Sequence, residues 1–306
     1  MTVGTASLPG VGDHSPSGVL GRRLRHAVGR TFTYAVLLAW AFVCLFPIYW
    51  TFTTSLKDQA GVLQGSTYVP GVDFSPSRIG WDSILGSEDQ RATLIRNTRN
   101  SLLIAIASAS VAVVLGAMAG YGLARFPYRF GPWRNRDISF WFLSQLILPP
   151  AAVVMPILIL YGWLDLLDTQ VGLIILYTVV SLPIVIWIMR DQFNSIPVEL
   201  EQAALVDGAT LFGAFVRIVI PIAAPGLVAA FILSVIFSWN EYFFAAVLSA
   251  TRAVTLPLLV ATQVSSQGIR WWAMAAVASA SILPLTIVGI LLERYIVKGL
   301  TAGAVK

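Results

Sequence analysis

Six apolar stretches, at about 31–52, 100–124, 138–163, 169–190, 226–249 and 271–293, alternate with polar segments along the chain. A helix needs about 20 apolar residues to cross a bilayer, and each stretch meets that length. The pattern predicts an all-α, polytopic membrane protein with six transmembrane helices in a domain over 31–295. The third stretch carries Pro149, Pro150 and Pro156. A helix broken inside a membrane is tolerated where it lines a cavity or is covered by protein. Pro183 predicts a kink in the fourth stretch. In the second, Gly116 and Gly120 stand one turn apart, either for close helix contact or as ordinary small residues. Residues 253–269 are also uncharged, but Pro257, Gln263, Ser265, Ser266, Gln267 and Gly268 make them short and polar for a seventh crossing. They read as an external loop with a short apolar helix.

The flanks set the topology. The first 20 residues are rich in Gly, Ser and Pro and predict disorder within an N-terminal tail over 1–30. Arg22, Arg23, Arg25 and Arg30 precede the first apolar run, which is too long for a signal-peptide core and lacks a small-residue cleavage site. With six spans both ends face the cytoplasm, and the tail over 296–306 lies inside. Inner segments then hold 13 Lys and Arg against seven outside. That is the direction the positive-inside rule requires. A seventh span would place the C-terminal basic residues outside.

Composition agrees: 57% of the 306 residues are hydrophobic, 11% are charged, and the mean hydropathy is +0.78. The net charge of +5 and pI near 9.6 would suggest nucleic acid as partner of a soluble protein. Here the basic residues are accounted for by topology, so membrane lipid and not nucleic acid is the expected surrounding. The single cysteine, Cys44, cannot form an internal disulfide.

The longest interruption that is both polar and helical in pattern runs from Ser195 to Pro225. Pro197 is suited to the first position of a helix, with Ser195 as cap and Glu199 and Glu201 at its positive end. Ala203 and Ala204 favour helix, and Gly208 breaks it. A second short helix follows with Leu211, Phe212, Phe215 and Ile218 at amphipathic spacing, until Pro221 and Pro225 end it. Such a helix–Gly–helix knob is suited to docking into a groove on another protein.

Gln202-Ala203-Ala204, Gly208, Ile218 and Ile220-Pro221 resemble, in identity and spacing, the EAA loop of binding-protein-dependent ABC importers. Gln202 replaces the family's leading Glu, Ile220 its usual Leu, and the neighbouring Glu201 still supplies a carboxylate. The Asp207-Gly208-Ala209 core and the ending Gly299-Leu300-Thr301-Ala302-Gly303-Ala304-Val305-Lys306 are similar to the carbohydrate branch, the maltose-type membrane subunits. The resemblance implies a type I ABC importer transmembrane fold in the bacterial inner membrane. It also implies four kinds of partner: a second homologous permease subunit, two ATP-binding cassette subunits, an extracytoplasmic solute-binding protein and surrounding lipid. Glu201, Gln202, Ala203, Ala204, Asp207 and Gly208 would form the ATPase-coupling contact, with Asp207 capping the second helix. The loop over 253–269 would face the solute-binding protein.

No catalytic or metal constellation is visible, and His14 and His26 both precede the first span. There is no Gly-rich phosphate loop followed by Lys, so ATP and Mg would be bound by separate subunits and this chain would carry no cofactor. Glu241, in Ser238-Trp239-Asn240-Glu241-Tyr242, is a carboxylate well inside an apolar stretch, and such a charge faces a cavity or a partner. Asn240, Glu241 and Tyr242 therefore read either as part of a substrate passage or as a structural pairing. Trp141, Gln145, Tyr177 and Trp187 are further passage candidates, since sugars are held by aromatic faces and amide or carboxylate groups. Taken alone, each reads first as bundle packing or part of an interfacial aromatic belt.

Overall fold

The computed structural model describes residues 16–301 except 66 and 266–267, with side chains described over 28–290 apart from 66 and 265–267. The part of the expected N-terminal disorder that falls on residues 1–15, the ending after residue 301 and the tip at Ser266 and Gln267 lie outside the described residues, whereas residues 16–20, also expected to be disordered, belong to the first helix. The chain divides into two units, Met1–Trp50 and Thr51–Lys306.

In chain order the helices begin with α1 (Pro16–Thr54), α2 (Gln59–Leu63), α3 (Ile79–Leu85) and α4 (Glu88–Arg125). A small hairpin follows, β1 (Arg129–Phe130) paired antiparallel with β2 (Trp133–Arg134). Then come α5 (Asn135–Ser144) with a 3-10 turn over Gln145–Ile147, α6 (Pro150–Trp163) and α7 (Gln170–Asn194). Next are α8 (Glu199–Val206), α9 (Leu211–Ala214), a π-helical turn over Phe215–Val219, α10 (Ile220–Ile222), α11 (Ala224–Asn240) and α12 (Phe243–Leu248). The last are α13 (Leu256–Ala261), a hairpin of β3 (Val264–Ser265) and β4 (Gly268–Ile269), and α14 (Trp271–Thr301).

Four stretches are long and apolar enough to cross a membrane unbroken: Val28–Thr54, Glu88–Arg125, Gln170–Asn194 and Trp271–Ile290. Two bent pairs bring the number to six where each pair is counted as one span. Asn135–Ile147 and Pro150–Trp163 meet at 90°, and Leu211–Ile222 and Ala224–Asn240 at 75°. The first bend falls where the prolines put it: Leu148 and Pro149 are extended, and Pro150 opens α6. Pro156 and Pro183 sit inside α6 and α7 without ending them.

Three further expectations need correction. The second helix does not begin near residue 100: α4 already starts at Glu88, with Ser87 and Gln90 forming a capping box. The fifth stretch is not one continuous helix: α11 stops at Asn240 and Glu241 is extended before α12 begins. The knob is capped otherwise than expected. Val198, not Ser195, precedes α8, and Ser195 ends α7 with its hydroxyl on the Gln192 carbonyl.

In the second unit α4 and α7 form the central pair. An added Cβ at Gly116 would stand 2.5 Å from Val185 Cγ1, and one at Gly120 2.9 Å from the Arg190 amide nitrogen. These glycines are therefore contact points, where any side chain would push the helices apart. The Thr178 hydroxyl hydrogen-bonds the Ser108 carbonyl, and the Ser108 and Ser238 hydroxyls join α4 to α11 at 3.0 Å.

At the Glu88 end of the pair, the Asp168 carboxylate and the Asn100 amide tie three segments together. Asp168 lies in a turn where it and Asp165 both adopt φ +54°, a conformation Asp tolerates better than most residues. Its carboxylate accepts the amide N–H groups of Ala250, Thr251, Arg252 and Ala253 and the Thr251 hydroxyl. Asn100 donates to the Arg252 and Val254 carbonyls, and Gln170 donates to Asn100. Partial burial by itself raises the Asp168 pKa, but the backbone donors outweigh it and hold the carboxyl well below the usual range.

Candidate functional site

Residues 195–223 form an elbow at the Arg125 end of the α4–α7 pair. After α7 ends, α8 runs to Val206, and Gly208 turns the chain at φ +89°. That left-handed conformation favours glycine. Thr210, and not Asp207, caps α9: its hydroxyl accepts the Gly213 amide at 3.1 Å. Asp207 instead ends α8 and is exposed.

The inner face of the elbow is fastened to α4 by a buried charge pair. Arg125 Nε donates to Glu201 Oε1 at 2.6 Å and Nη2 to the Ile196 carbonyl at 2.9 Å. The Tyr121 hydroxyl donates to Glu201 Oε2 at 2.6 Å. The Arg125 and Glu201 side chains are only 10% and 5% exposed. Around them Tyr121 packs on Phe215 and Phe193, with ring centroids 4.5 Å and 5.6 Å apart. A buried charge is tolerated only when paired and hydrogen-bonded, and here both carboxylate oxygens are used.

Glu201 is therefore buried on the inner face of the elbow and paired with Arg125. Ala204 is also buried, whereas Gln202, Ala203, Asp207 and Gly208 are exposed. The outer face adds apolar groups that sequence reasoning did not single out for contact. Val206 is 87% exposed and Phe212 70%, with Leu205 and Leu211 beside them in the chain and also exposed. Phe215 turns inward, so the amphipathic spacing of the second helix presents apolar residues on both sides. An exposed apolar patch of this kind marks an interaction surface.

The second candidate region is the break between α11 and α12. Glu241 accepts the Tyr177 hydroxyl at 2.6 Å, the Phe244 amide at 2.9 Å and the Ala245 amide at 3.3 Å. The carboxylate thus lies on the positive end of α12. This explains how an apolar stretch holds a charge: the helix that the break creates stabilises it. Tyr177 is buried at 2% exposure, whereas Asn240 and Tyr242 are exposed at the same break. Trp141 and Gln145 lie elsewhere, on α5 and the turn after it, where the Gln145 amide bonds the Trp141 carbonyl. Trp187 is half exposed on α7. Among the described residues no group of three or more His, Cys, Asp or Glu is placed to hold a metal ion.

Residues 112–302 match the family described as binding-protein-dependent transport system inner membrane component. A trehalose transport system permease protein of Mycobacterium tuberculosis, SugB, is 36% identical over 265 residues, covering 86% of this chain and 92% of that one. The trehalose/maltose transport system permease protein MalG of Thermococcus litoralis is 29% identical, covering 89% and 94%. Among solved structures, a bacterial ABC transporter involved in import of the acidic polysaccharide alginate matches with TM-score 0.65 at 22% identity, covering 88% of this chain and 96% of that one. The methionine transporter MetNI matches with TM-score 0.54 at 18% identity, covering 70% and 99%.

Proposed function

We infer the function from the family to which the chain belongs, the inner membrane components of binding-protein-dependent transport systems. The chain is a multi-pass membrane permease subunit of an ABC importer, and it is non-catalytic, with ATP hydrolysis on separate subunits. Its cargo is a sugar or sugar-like solute. The names of the trehalose and trehalose/maltose relatives support that reading. Both termini face the cytoplasm, as the distribution of Lys and Arg favours. It works with a second homologous permease, two ATP-binding cassette subunits that hold ATP and Mg, and an external solute-binding protein.

The observation that carries the coupling role is the two-sided elbow: charged and aromatic groups fasten its inner face to α4, while its outer face shows exposed apolar side chains. When a partner groove holding Val206 and Phe212 moves, the Arg125–Glu201–Tyr121 contact transfers the displacement to α4. The glycine contacts carry it on to α7, so the helices turn as one body. Asn240 and Tyr242, at the α11–α12 break, face the passage, and Tyr177 with Glu241 holds the break in shape.

Uptake of labelled trehalose and maltose by proteoliposomes containing the assembled importer and its solute-binding protein tests this. Uptake should require ATP on the ATPase side and disappear without the solute-binding protein. Uptake that persists without ATP under a proton gradient would refute the assignment.

A further inference from the structure

We propose that the hairpin of β1 and β2 with the start of α5 is a binding site for the phosphate of an anionic phospholipid, such as phosphatidylglycerol, in the cytoplasmic leaflet. The proposal rests on the cytoplasmic orientation argued above. Arg129 stands directly opposite Arg134 in the hairpin register. Like charges placed opposite one another across strands are destabilising. Arg125, Arg129, Arg134 and Arg136 all line an open pocket of about 410 Å³. Arg125 is taken up by Glu201. Among the described residues no ion pair joins the other three, all exposed, to a carboxylate. The nearby Asp137 uses one oxygen on the Arg134 amide.

The pocket is a built frame. Asn135 donates to the Leu123 and Phe126 carbonyls at 2.7 Å and 2.6 Å and accepts the Tyr128 amide at 2.7 Å. The ten-residue α5 starts at the same point, with its positive end toward the pocket residues. Three unpaired guanidinium groups and a helix N-terminus call for an anion, and guanidinium suits phosphate geometrically.

The surrounding aromatics favour lipid over a soluble anion. Phe130 at the hairpin is 81% exposed, Phe140 68%, Tyr128 46% and Trp133 43%. Exposed aromatic side chains beside basic ones are the usual signature of the membrane–water interface. Trp141, 46% exposed on the same helix as Phe140, joins this belt, which accounts for it without a role in the passage.

The test uses the assembled importer in neutral detergent, titrated with phosphatidylglycerol, phosphatidylcholine or inorganic phosphate and read by native mass spectrometry. Phosphatidylglycerol should bind at least tenfold more tightly than phosphatidylcholine. Each arginine near an anionic surface contributes about 1 kcal/mol, or roughly fivefold. Arg129→Gln/Arg134→Gln/Arg136→Gln should therefore weaken binding by about a hundredfold, and the corresponding Lys triple variant should keep most of it. Equal binding of both lipids, or no loss in the Gln variant, would overturn the site. Full displacement by millimolar phosphate would assign it to a soluble anion. Lipid binding seen only when the ATPase subunits are left out of the assembly would assign it to an acidic protein surface. Either result overturns the proposal. Phe130→Cys in a Cys44→Ala background, probed with an impermeant maleimide, separates the two readings. Labelling from outside the cell would sink the topology as well, whereas labelling only in inverted vesicles with no lipid preference would sink the lipid site alone.

Discussion

Replacing Glu201 by Gln removes one charge from a pair that is almost wholly out of water and keeps the shape of the side chain. The Arg125 guanidinium, 10% exposed, would then lack its counter-charge, and Tyr121 would lose a charged acceptor. Two unit charges 2.6 Å apart attract by about 6 kcal/mol at an effective dielectric constant of about 20. Desolvation offsets part of that. Removing one partner of a buried pair costs about 3–5 kcal/mol, since it strands the other charge. Tyr121→Phe deletes one hydrogen bond to a charged group and should cost less, about 1.5–3 kcal/mol. Arg125→Met with Glu201→Leu should recover most of the loss, because apolar replacement of a buried pair is nearly neutral. Stability is read by unfolding in mixed detergent micelles, and coupling by the ratio of solute imported to ATP hydrolysed. Glu201→Gln should lower both. A stability change below about 1 kcal/mol with an unchanged ratio would show that the elbow is not held as described.

Further expectations concern the helix contacts, the turn and the Asp168 clamp. Gly116→Leu should destabilise the α4–α7 pair by about 1–3 kcal/mol or more, read in the same unfolding assay, because its Cβ already meets Val185 at 2.5 Å. Gly208→Val places a branched side chain at φ +89°, where open space surrounds it. It should strain the turn by about 1–2 kcal/mol and reduce solute-stimulated ATPase while membrane insertion is kept. Asp168→Asn should cost about 1–3 kcal/mol at pH 7, since the carboxylate accepts four backbone donors. The folded pKa is depressed, so this contribution is full above the unfolded value of about 3.9 and fades as pH falls toward the folded one. Melting of wild type and variant should therefore converge in strong acid and stay apart at neutral pH. Glu241→Ala removes the acceptor at the start of α12 and should cost about 1 kcal/mol, with reduced uptake at unchanged assembly.

Apolar length and proline placement made the spans and the 90° bend legible in the sequence. They left the α11–α12 break hidden, because Asn240, Glu241 and Tyr242 carry no Gly or Pro. The signal there was the charge itself: a carboxylate in an apolar run needs a donor, and a new helix N-terminus supplies one. The elbow was legible as a helix–turn–helix through Gly208, but its two faces were not. Glu201 reads in sequence like any acidic residue near a helix start. Only the return of α4 beside it, 76 residues earlier in the chain, brings Arg125 within reach and turns it inward. The Asp168 clamp was equally hidden, since its partners are backbone N–H groups some 82 to 85 positions away, and any residue type supplies those.

The most direct measurement places one cysteine at Val206, 87% exposed on the outer face of the elbow, in a Cys44→Ala background of the assembled complex. Cross-linking with a short bifunctional reagent should join it to the ATPase subunit, and bound nucleotide should change the yield. A Val206 cysteine that reacts with impermeant reagent from outside intact cells, and never joins the ATPase, would contradict the account.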